Sequence, residues 1–367
     1  LSSVGVKKII CTYDKIDKLM EFINPKDFKL TIDEYHNFLK QYSFRDKAIN
    51  GVLAHFKEFK SYCFLSATPI PNNLKPAIFN NIPEYIANWN TIDDITVYPY
   101  HTNKPYMVAA KFIKTYQAKG CLNVNDIESE EAYFFINSVT EIKAILKQTQ
   151  LTEDDYRIIC ADNPKNRRTL EGYTISSSTD APKKFNFITS KSFEGVDFHS
   201  ETGLCFVVSN VQNRHTLVSI DMDIPQIVGR IRTKSNPFRN KIVHIFNTKA
   251  TDHYTTFEDM KLIVDEEVKA AQERADMLNN TKLSETAVKQ QVNEIKKVGV
   301  ESYLSYQENK FIVNDMVAKL QLYSYYIATV VYQSDKSLRE TYAQSGIVTT
   351  KAVSYTHLRA HETLSDL

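Results

Sequence analysis

The chain has 367 residues, 43% of them hydrophobic and 24% charged, an ordinary composition for a globular protein with a large core and room for two to three domains. Lys and Arg total 45 against 44 Asp and Glu, so the net charge of +1 speaks neither for nor against a polyanionic partner, and local charge must carry that question. Cys11, Cys63, Cys121, Cys160 and Cys205 are odd in number and scattered, without any C-x-x-C spacing, which speaks against a disulfide framework or a zinc site and fits a reducing cytoplasm.

In chain order, residues 6–12 read as an internal strand, and residues 28–32 and 62–66 as short buried strands. Between the last two, residues 42–59 carry apolar side chains at helical spacing. After Pro69 and Pro71 an Asn-, Pro- and Tyr-rich passage runs to about Pro105 and reads as a connection between lobes. A second set of strands is predicted at 132–136, 157–160, 185–189, 204–209 and 241–246, with helices at 138–148 and 224–231. This alternation predicts an α/β fold with a mostly parallel sheet whose ligand sits beyond the C-terminal ends of the strands.

From about residue 255 the pattern changes. Phe257, Met260, Val264, Val268, Ala271, Ala275 and Leu278 recur at steps of three and four along one face of a long helix, and further helices are predicted at 285–297 and 311–332. Residues 320–332, the longest apolar stretch, are too few and too rich in tyrosine to span a bilayer, so no membrane partner is expected. The tail, residues 353–367, resembles translated sequencing-adapter read-through and is set aside together with His357 and His361.

Two short strings concentrate the chemistry. Phe28, Leu30 and Ile32 alternate along a strand that ends in Asp33-Glu34-Tyr35-His36, placing two carboxylates and a base at a sheet edge. The second, Gln226-Ile227-Val228-Gly229-Arg230-Ile231-Arg232, supplies arginines. Metal-binding carboxylate and arginine are the two halves of a nucleotide-hydrolysis site; a solvated strand end and solvated arginines are the plain alternatives. Ser66-Ala67-Thr68 closes another apolar strand just before Pro69, and its hydroxyls also suit simple strand-end hydrogen bonding. Glycine is scarce, nine in all, yet Gly195 and Gly229 each fall in a late polar string, where a missing side chain permits a tight turn or close backbone approach. Residues 229–241 hold Arg230, Arg232, Lys234, Arg239 and Lys241 with no acidic residue, and Lys165, Arg167 and Arg168 form a second basic cluster. Such clusters suit a polyanion, although charge runs are also ordinary solvated faces. No G-x-x-x-x-G-K-[ST] phosphate loop occurs anywhere in the chain.

Five strings occur in an order that resembles motifs II to VI of the DExH-box helicases of superfamily two: Thr31-Ile32-Asp33-Glu34-Tyr35-His36, Phe64-Leu65-Ser66-Ala67-Thr68-Pro69, Phe134-Phe135-Ile136-Asn137-Ser138, Ile188-Thr189-Ser190-Lys191-Ser192-Phe193-Glu194-Gly195-Val196-Asp197, and the Gln226 to Arg232 string. The resemblance extends to about Thr248. It implies two tandem RecA-like lobes, with residues 1–100 the C-terminal part of an incomplete first lobe and its connection, 101–250 the second lobe and 251–352 a helical C-terminal region. It further implies ATP and magnesium in the cleft between lobes and single-stranded nucleic acid, DNA in preference to RNA, across both. Carried over residue by residue, Asp33 holds magnesium through water, Glu34 activates the attacking water, and His36, Ser66 and Thr68 couple nucleotide state to movement. Thr189 and Ser190 face the nucleic-acid backbone, Gly195 and Asp197 the ribose and phosphate side of the nucleotide. Gln226, Arg230 and Arg232 complete the catalytic set, the arginines neutralising phosphoryl charge.

One departure bears on the branch. Many members read Q-x-x-G-R-x-x-R, whereas here Thr233 stands eighth and the second arginine comes one residue early, a G-R-x-R form similar to viral origin-binding and mobile-element helicases. The expected setting is therefore phage or mobile-element replication. Without a phosphate loop, and with residues 6–12 already reading as an internal strand, the chain is expected to be an N-terminally truncated fragment of an ATP-dependent helicase or translocase. The competing expectation is a double-lobe module that binds nucleic acid without hydrolysis.

Overall fold

A computed structural model describes residues 5, 7–87, 94–193, 195–249, 256–299, 302–307 and 309–350. The tail 353–367, Val6 and Glu194 lie outside the described residues. By contact the chain divides into two units, Leu1–Ile86 with Tyr254–Tyr326, and Ala87–His253 with Ile327–Leu367.

In the first unit, strand β1 (Lys29–Ile32) pairs in parallel with β2 (Ser61–Phe64), in register from Lys29 opposite Ser61 to Ile32 opposite Phe64. Parallel neighbours need a crossover, and the helix Tyr42–His55 provides it. Aromatic rings fill the space beneath: Phe64 meets Phe79 edge-on at 5.1 Å and Phe56 at 5.3 Å, and Phe38 and Phe56 are wholly buried. Residues 7–12, expected as a strand, form none; Ile10 is 83% exposed. A short apolar run without a surface to cover it has no reason to extend, and periodicity alone does not reveal that.

The C-terminal part of this unit begins at a capping box in which Thr256 and Asp259 exchange side-chain to backbone hydrogen bonds, opening the helix Phe257–Asn280. Of the expected stripe, Val264, Ala271, Ala275 and Leu278 are buried. Val288, Val292 and Ile295 of the helix Glu285–Val298 pack against the same cluster, with Leu304 and Phe311. The helix predicted over 311–332 is shorter: Lys310–Val313 pairs antiparallel with Leu304–Gln307, and the α-helix spans Asp315–Tyr326, followed by a π-helical turn at Ile327–Val331. The hairpin turn places Asn309 at φ +60°, a conformation asparagine tolerates.

The second unit is α/β with a seven-stranded, all-parallel sheet. Its strands are β3 (Thr96–His101), β4 (Ala132–Phe135), β5 (Tyr156–Ile159), β6 (Phe185–Ile188), β7 (Leu204–Ser209), β8 (Lys241–Phe246) and β9 (Val348–Thr349), in the order β9-β3-β8-β7-β4-β6-β5. The central strands are buried along their whole length on both faces, as in a covered parallel sheet. On one face Phe134 stacks between Phe187 and Phe206, at 5.5 and 4.7 Å, beneath the helices Pro105–Lys119 and Val139–Thr149. Ser138 caps the second helix by accepting from the Glu141 N–H, and Gly120, at φ +80°, ends the first.

Strand β3 falls inside the passage expected to be a connection. Pro99 disguised it, since proline cannot donate to a ladder; β9 reaches only Thr96 and Val97, so Pro99 lies where that edge is open.

The opposite face of the sheet holds a buried polar network. His244 Nε2 lies 3.0 Å from Ser209 Oγ and 3.2 Å from Tyr332 Oη, and Nδ1 is hydrogen-bonded to Tyr342 Oη. Tyr332 and Tyr342 belong to residues 327–350, so this network and β9 together fasten that segment to the sheet. Burial pushes the His244 imidazole down to about 3. An unfolded histidine takes up its proton near pH 6.5, so the unfolded state binds more protons than the folded state between roughly pH 6.5 and 3, and stability falls as pH falls through that window. Urea unfolding across this range is expected to show a His244-dependent slope approaching ~1.4 kcal/mol per pH unit. In His244→Gln the slope is absent, although the variant is less stable at pH 7.

Candidate nucleotide and nucleic-acid site

β1 delivers Asp33 to the C-terminal end of its sheet. Beyond it the two chain segments stay side by side, because Leu65 N–H donates to Ile32 O at 2.8 Å and Tyr35 N–H to Leu65 O at 3.1 Å. Glu34 takes φ +52°, a left-handed conformation that costs a residue with a Cβ roughly 1–2 kcal/mol. Its Oε2 lies 3.2 Å from His36 Nδ1. That same nitrogen is 2.7 Å from Ser66 Oγ and 3.5 Å from Thr68 Oγ1, and Ser66 Oγ accepts the Thr68 N–H at 2.9 Å. His36 is wholly buried, Thr68 is buried and the Glu34 side chain is 35% exposed. Residues from two strings thirty positions apart therefore converge on one imidazole nitrogen. A ring nitrogen either donates one proton or accepts one, so whatever changes the charge or position of Glu34 changes what Ser66 and Thr68 can bond.

Asp33 is exposed, and its Oδ1 accepts the Glu34 N–H at 3.1 Å. Among the described residues no group of three or more His, Cys, Asp or Glu is placed to hold a metal ion. A lone exposed carboxylate does suit magnesium, which keeps water ligands and takes most of its remaining coordination from substrate phosphates.

In the second unit the helix expected over 224–231 spans only Asp223–Val228, so both arginines lie beyond it. Ile231 instead forms a parallel bridge with Phe198: Phe198 N–H donates to Arg230 O at 2.8 Å, and Arg232 N–H donates to Phe198 O at 2.9 Å. Alternate residues of an extended segment point the same way. Both guanidinium groups accordingly approach Asp197 Oδ1, Arg232 Nε at 2.7 Å and Arg230 Nη1 at 4.0 Å. Arg230 is 6% exposed and held by Gln226 O at 2.8 Å and Val196 O at 3.2 Å; Gln226 is buried, with Oε1 3.5 Å from Arg230 Nη2. Arg232 and Asp197 remain about half exposed. The Arg232 hydrogen bond, with Arg230 adding at longer range, holds the Asp197 carboxyl below the usual carboxylate range.

Gly195 sits at φ +71° in open space, a turn that favours glycine. Gly229 is helical, and a Cβ there would meet Pro225 O at an ordinary 3.4 Å, so no backbone requirement singles it out. Thr189 is buried, its hydroxyl donating to Ile159 O at 3.4 Å, while Ser190 is exposed with its N–H donating to Asn137 Oδ1 at 3.2 Å. Asn137 Nδ2 also donates to His215 O at 2.7 Å. Asn137 is thus a positioning residue that no role was assigned to beforehand; an asparagine directly after an all-apolar strand was the available signal. In the second basic cluster Arg167 is committed to Asp162 through two hydrogen bonds of 2.5 and 2.7 Å.

The sequence matches no protein-family model and no curated protein. Among solved structures it is similar to Mss116p (NTE and C-tail double deletion) bound to ssRNA and AMP-PNP, with TM-score 0.38 and 12% identity over 70% of this chain and 57% of that one. It is also similar to the DEAD-box helicase Mss116 bound to ssRNA and UDP-BeF, with TM-score 0.36 and 13% identity over the same shares. A third is the yeast DEAD-box splicing factor Prp28, with TM-score 0.26 and 16% identity over 74% of this chain and 55% of that one. The chain spans a little over half the length of each.

Arg232→Gln removes the hydrogen bond that contributes most to the Asp197 shift. The Asp197 carboxyl is expected to titrate at higher pH in the variant, returning toward the ordinary range, as followed by carboxyl-carbon NMR; an unchanged midpoint would assign the shift to Arg230 instead.

Proposed function

We propose that this chain is part of an ATP-dependent helicase or translocase of superfamily two, built on RecA-like lobes and acting on single-stranded nucleic acid in the cytoplasm. The observation that carries the reading is the meeting of Glu34, Ser66 and Thr68 at His36 Nδ1, because it joins Glu34 to the third motif through one ring nitrogen. Magnesium-bound ATP supplies the phosphoryl group when present. Asp33 would hold the ion, Glu34 would take the proton of the attacking water, and His36 would relay the state of Glu34 to Ser66 and Thr68. Arg230 and Arg232 neutralise charge on the transferring group, and Asp197 keeps Arg232 in place until it is needed. Ser190 and Lys191, beyond the end of β6, meet the nucleic-acid backbone. The G-R-x-R form favours phage or mobile-element replication as the setting.

A second reading is a module that binds nucleic acid without turnover, supported by the basic run Arg230, Arg232, Lys234, Arg239 and Lys241, which suits a polyanion whether or not ATP is hydrolysed. The two readings part on hydrolysis. In protein that carries a phosphate loop ahead of this chain, Glu34→Gln is expected to lower ATP turnover about a hundredfold or more while leaving ATP and single-strand binding intact. Turnover that survives the substitution would remove Glu34 from the mechanism. Salt-dependent binding of single-stranded oligonucleotides with no turnover in either protein would favour the binding module, and parallel titrations with DNA and RNA identify the strand type.

A further inference from the structure

The chain ahead of β1 reaches back to the Asp33–Glu34 turn by a contact that no role above uses. Tyr13–Lys15 forms a 3₁₀ turn and Ile16–Met20 a short helix, and both lie against the helix Tyr42–His55. Ile16 is buried there, Asp14 Oδ2 lies 3.6 Å from Arg45 Nη2, and Asp17 Oδ1 lies 3.4 Å from His55 Nε2. Gly51 is the seat of this strap: a Cβ on it would come within 2.7 Å of Asp17 Oδ1 and 3.0 Å of Ile16 Cγ2. Glycine inside a helix is unfavourable relative to alanine, and the close approach of the strap accounts for this one.

The strap sets Tyr13 at the end of β1. Its ring meets Phe38 edge-on at 5.3 Å and lies under the Arg45 guanidinium at 5.3 Å, and its hydroxyl donates to the main-chain carbonyl of Asp33. That carbonyl and the Glu34 N–H belong to one planar peptide, and the N–H is accepted by Asp33 Oδ1 at 3.1 Å. Both polar ends of the peptide are therefore held. The left-handed φ of +52° at Glu34 is a rotation about the bond that leaves this same peptide, so the orientation of the plane decides where the Glu34 carboxylate goes. Once released, the peptide can turn and let Glu34 relax to an ordinary conformation, which takes the carboxylate off His36. We propose that Tyr13 is a positioning residue for Glu34, a clamp that holds the strained turn from 20 residues away. The clamp stands on the geometry of the turn, and only its consequence for turnover rests on the helicase reading.

Tyr13→Phe keeps the ring on Phe38 and Arg45 and removes only the hydroxyl. In the full chain, followed by amide hydrogen exchange, the Tyr35 N–H, held by Leu65 O just beyond the turn, is expected to lose about fivefold of its protection while amides of β7 in the second unit keep theirs. Gly51→Leu lifts the strap and carries the hydroxyl away, and is expected to lower the same protection. Glu34→Gly supplies a residue that takes the left-handed turn without strain, and in that background Tyr13→Phe is expected to cost much less. Unchanged Tyr35 protection in Tyr13→Phe overturns the proposal. So does an equal loss with and without Glu34→Gly, which would make the hydroxyl an ordinary stabilising contact. In protein that carries a phosphate loop, Tyr13→Phe is expected to lower kcat with little change in the KM for ATP. An exchange loss with kcat unaltered would leave the clamp in place and remove Glu34 from hydrolysis.

Discussion

The backbone bridge between Phe198 and Ile231 is the constraint on which the second unit's chemistry rests. Just past the turn at Gly229 and Arg230 it holds Ile231 in a parallel bridge, and that placement directs the arginines on either side of it. On a helix, residues two apart diverge by about 200° and only i and i+3 or i+4 share a face. In an extended chain i and i+2 share a face. With Arg232 two places after Arg230, both guanidinium groups reach Asp197.

The bridge also divides the two arginines by environment. Arg230 is buried and held by main-chain carbonyls, which fixes its direction, and lies 4.0 Å from Asp197. Arg232 is half exposed and has the short contact. An exposed ion pair of this kind is weak, so Arg232 can exchange its partner at little cost whereas Arg230 cannot leave. The polar end of the sheet follows similar logic. Parallel strands end with unpaired backbone groups, and Asn137, at the end of β4, takes up the Ser190 N–H and reaches the His215 carbonyl, tying the loops after β4, β6 and β7 into one surface.

How much of this was legible beforehand depends on period and on what covers each run. β4 to β8 are short, mostly apolar runs bounded by polar residues, interrupted by Arg157, Asn186 and His244, and all five were readable. β3 was hidden by Pro99, a residue that argues against a strand unless the strand has an open edge, which only the tertiary structure reveals. Residues 7–12 failed in the opposite sense, being strand-like in composition while pairing with no strand among the described residues. The candidate carboxylates, hydroxyls and arginines were nameable from motif order. Their contacts were not, because His36 Nδ1 and Asp197 Oδ1 acquire their partners through a left-handed turn at Glu34, which carries no glycine, and a helix that stops at Val228, where Gly229 follows with ordinary helical dihedrals.

The turn at Glu34 bears most directly on function. Left-handed backbone at a glutamate is unfavourable, and such strain persists only where surrounding contacts over-determine it. Here those contacts are identifiable: the Glu34 N–H donates to Asp33 Oδ1, the Tyr35 N–H is held by Leu65 O, and the carboxylate is drawn toward a wholly buried imidazole. A glycine would adopt this turn without strain but would bring no carboxylate. An unstrained glutamate would continue along the line of β1, and strand alternation would send its side chain away from that of Asp33. The left-handed residue turns the chain at the sheet edge, so the carboxylate reaches His36 while Asp33 stays open to solvent. The strained turn thus sets two successive acidic residues in different surroundings, Asp33 facing solvent and Glu34 beside the imidazole that also meets the hydroxyls of Ser66 and Thr68.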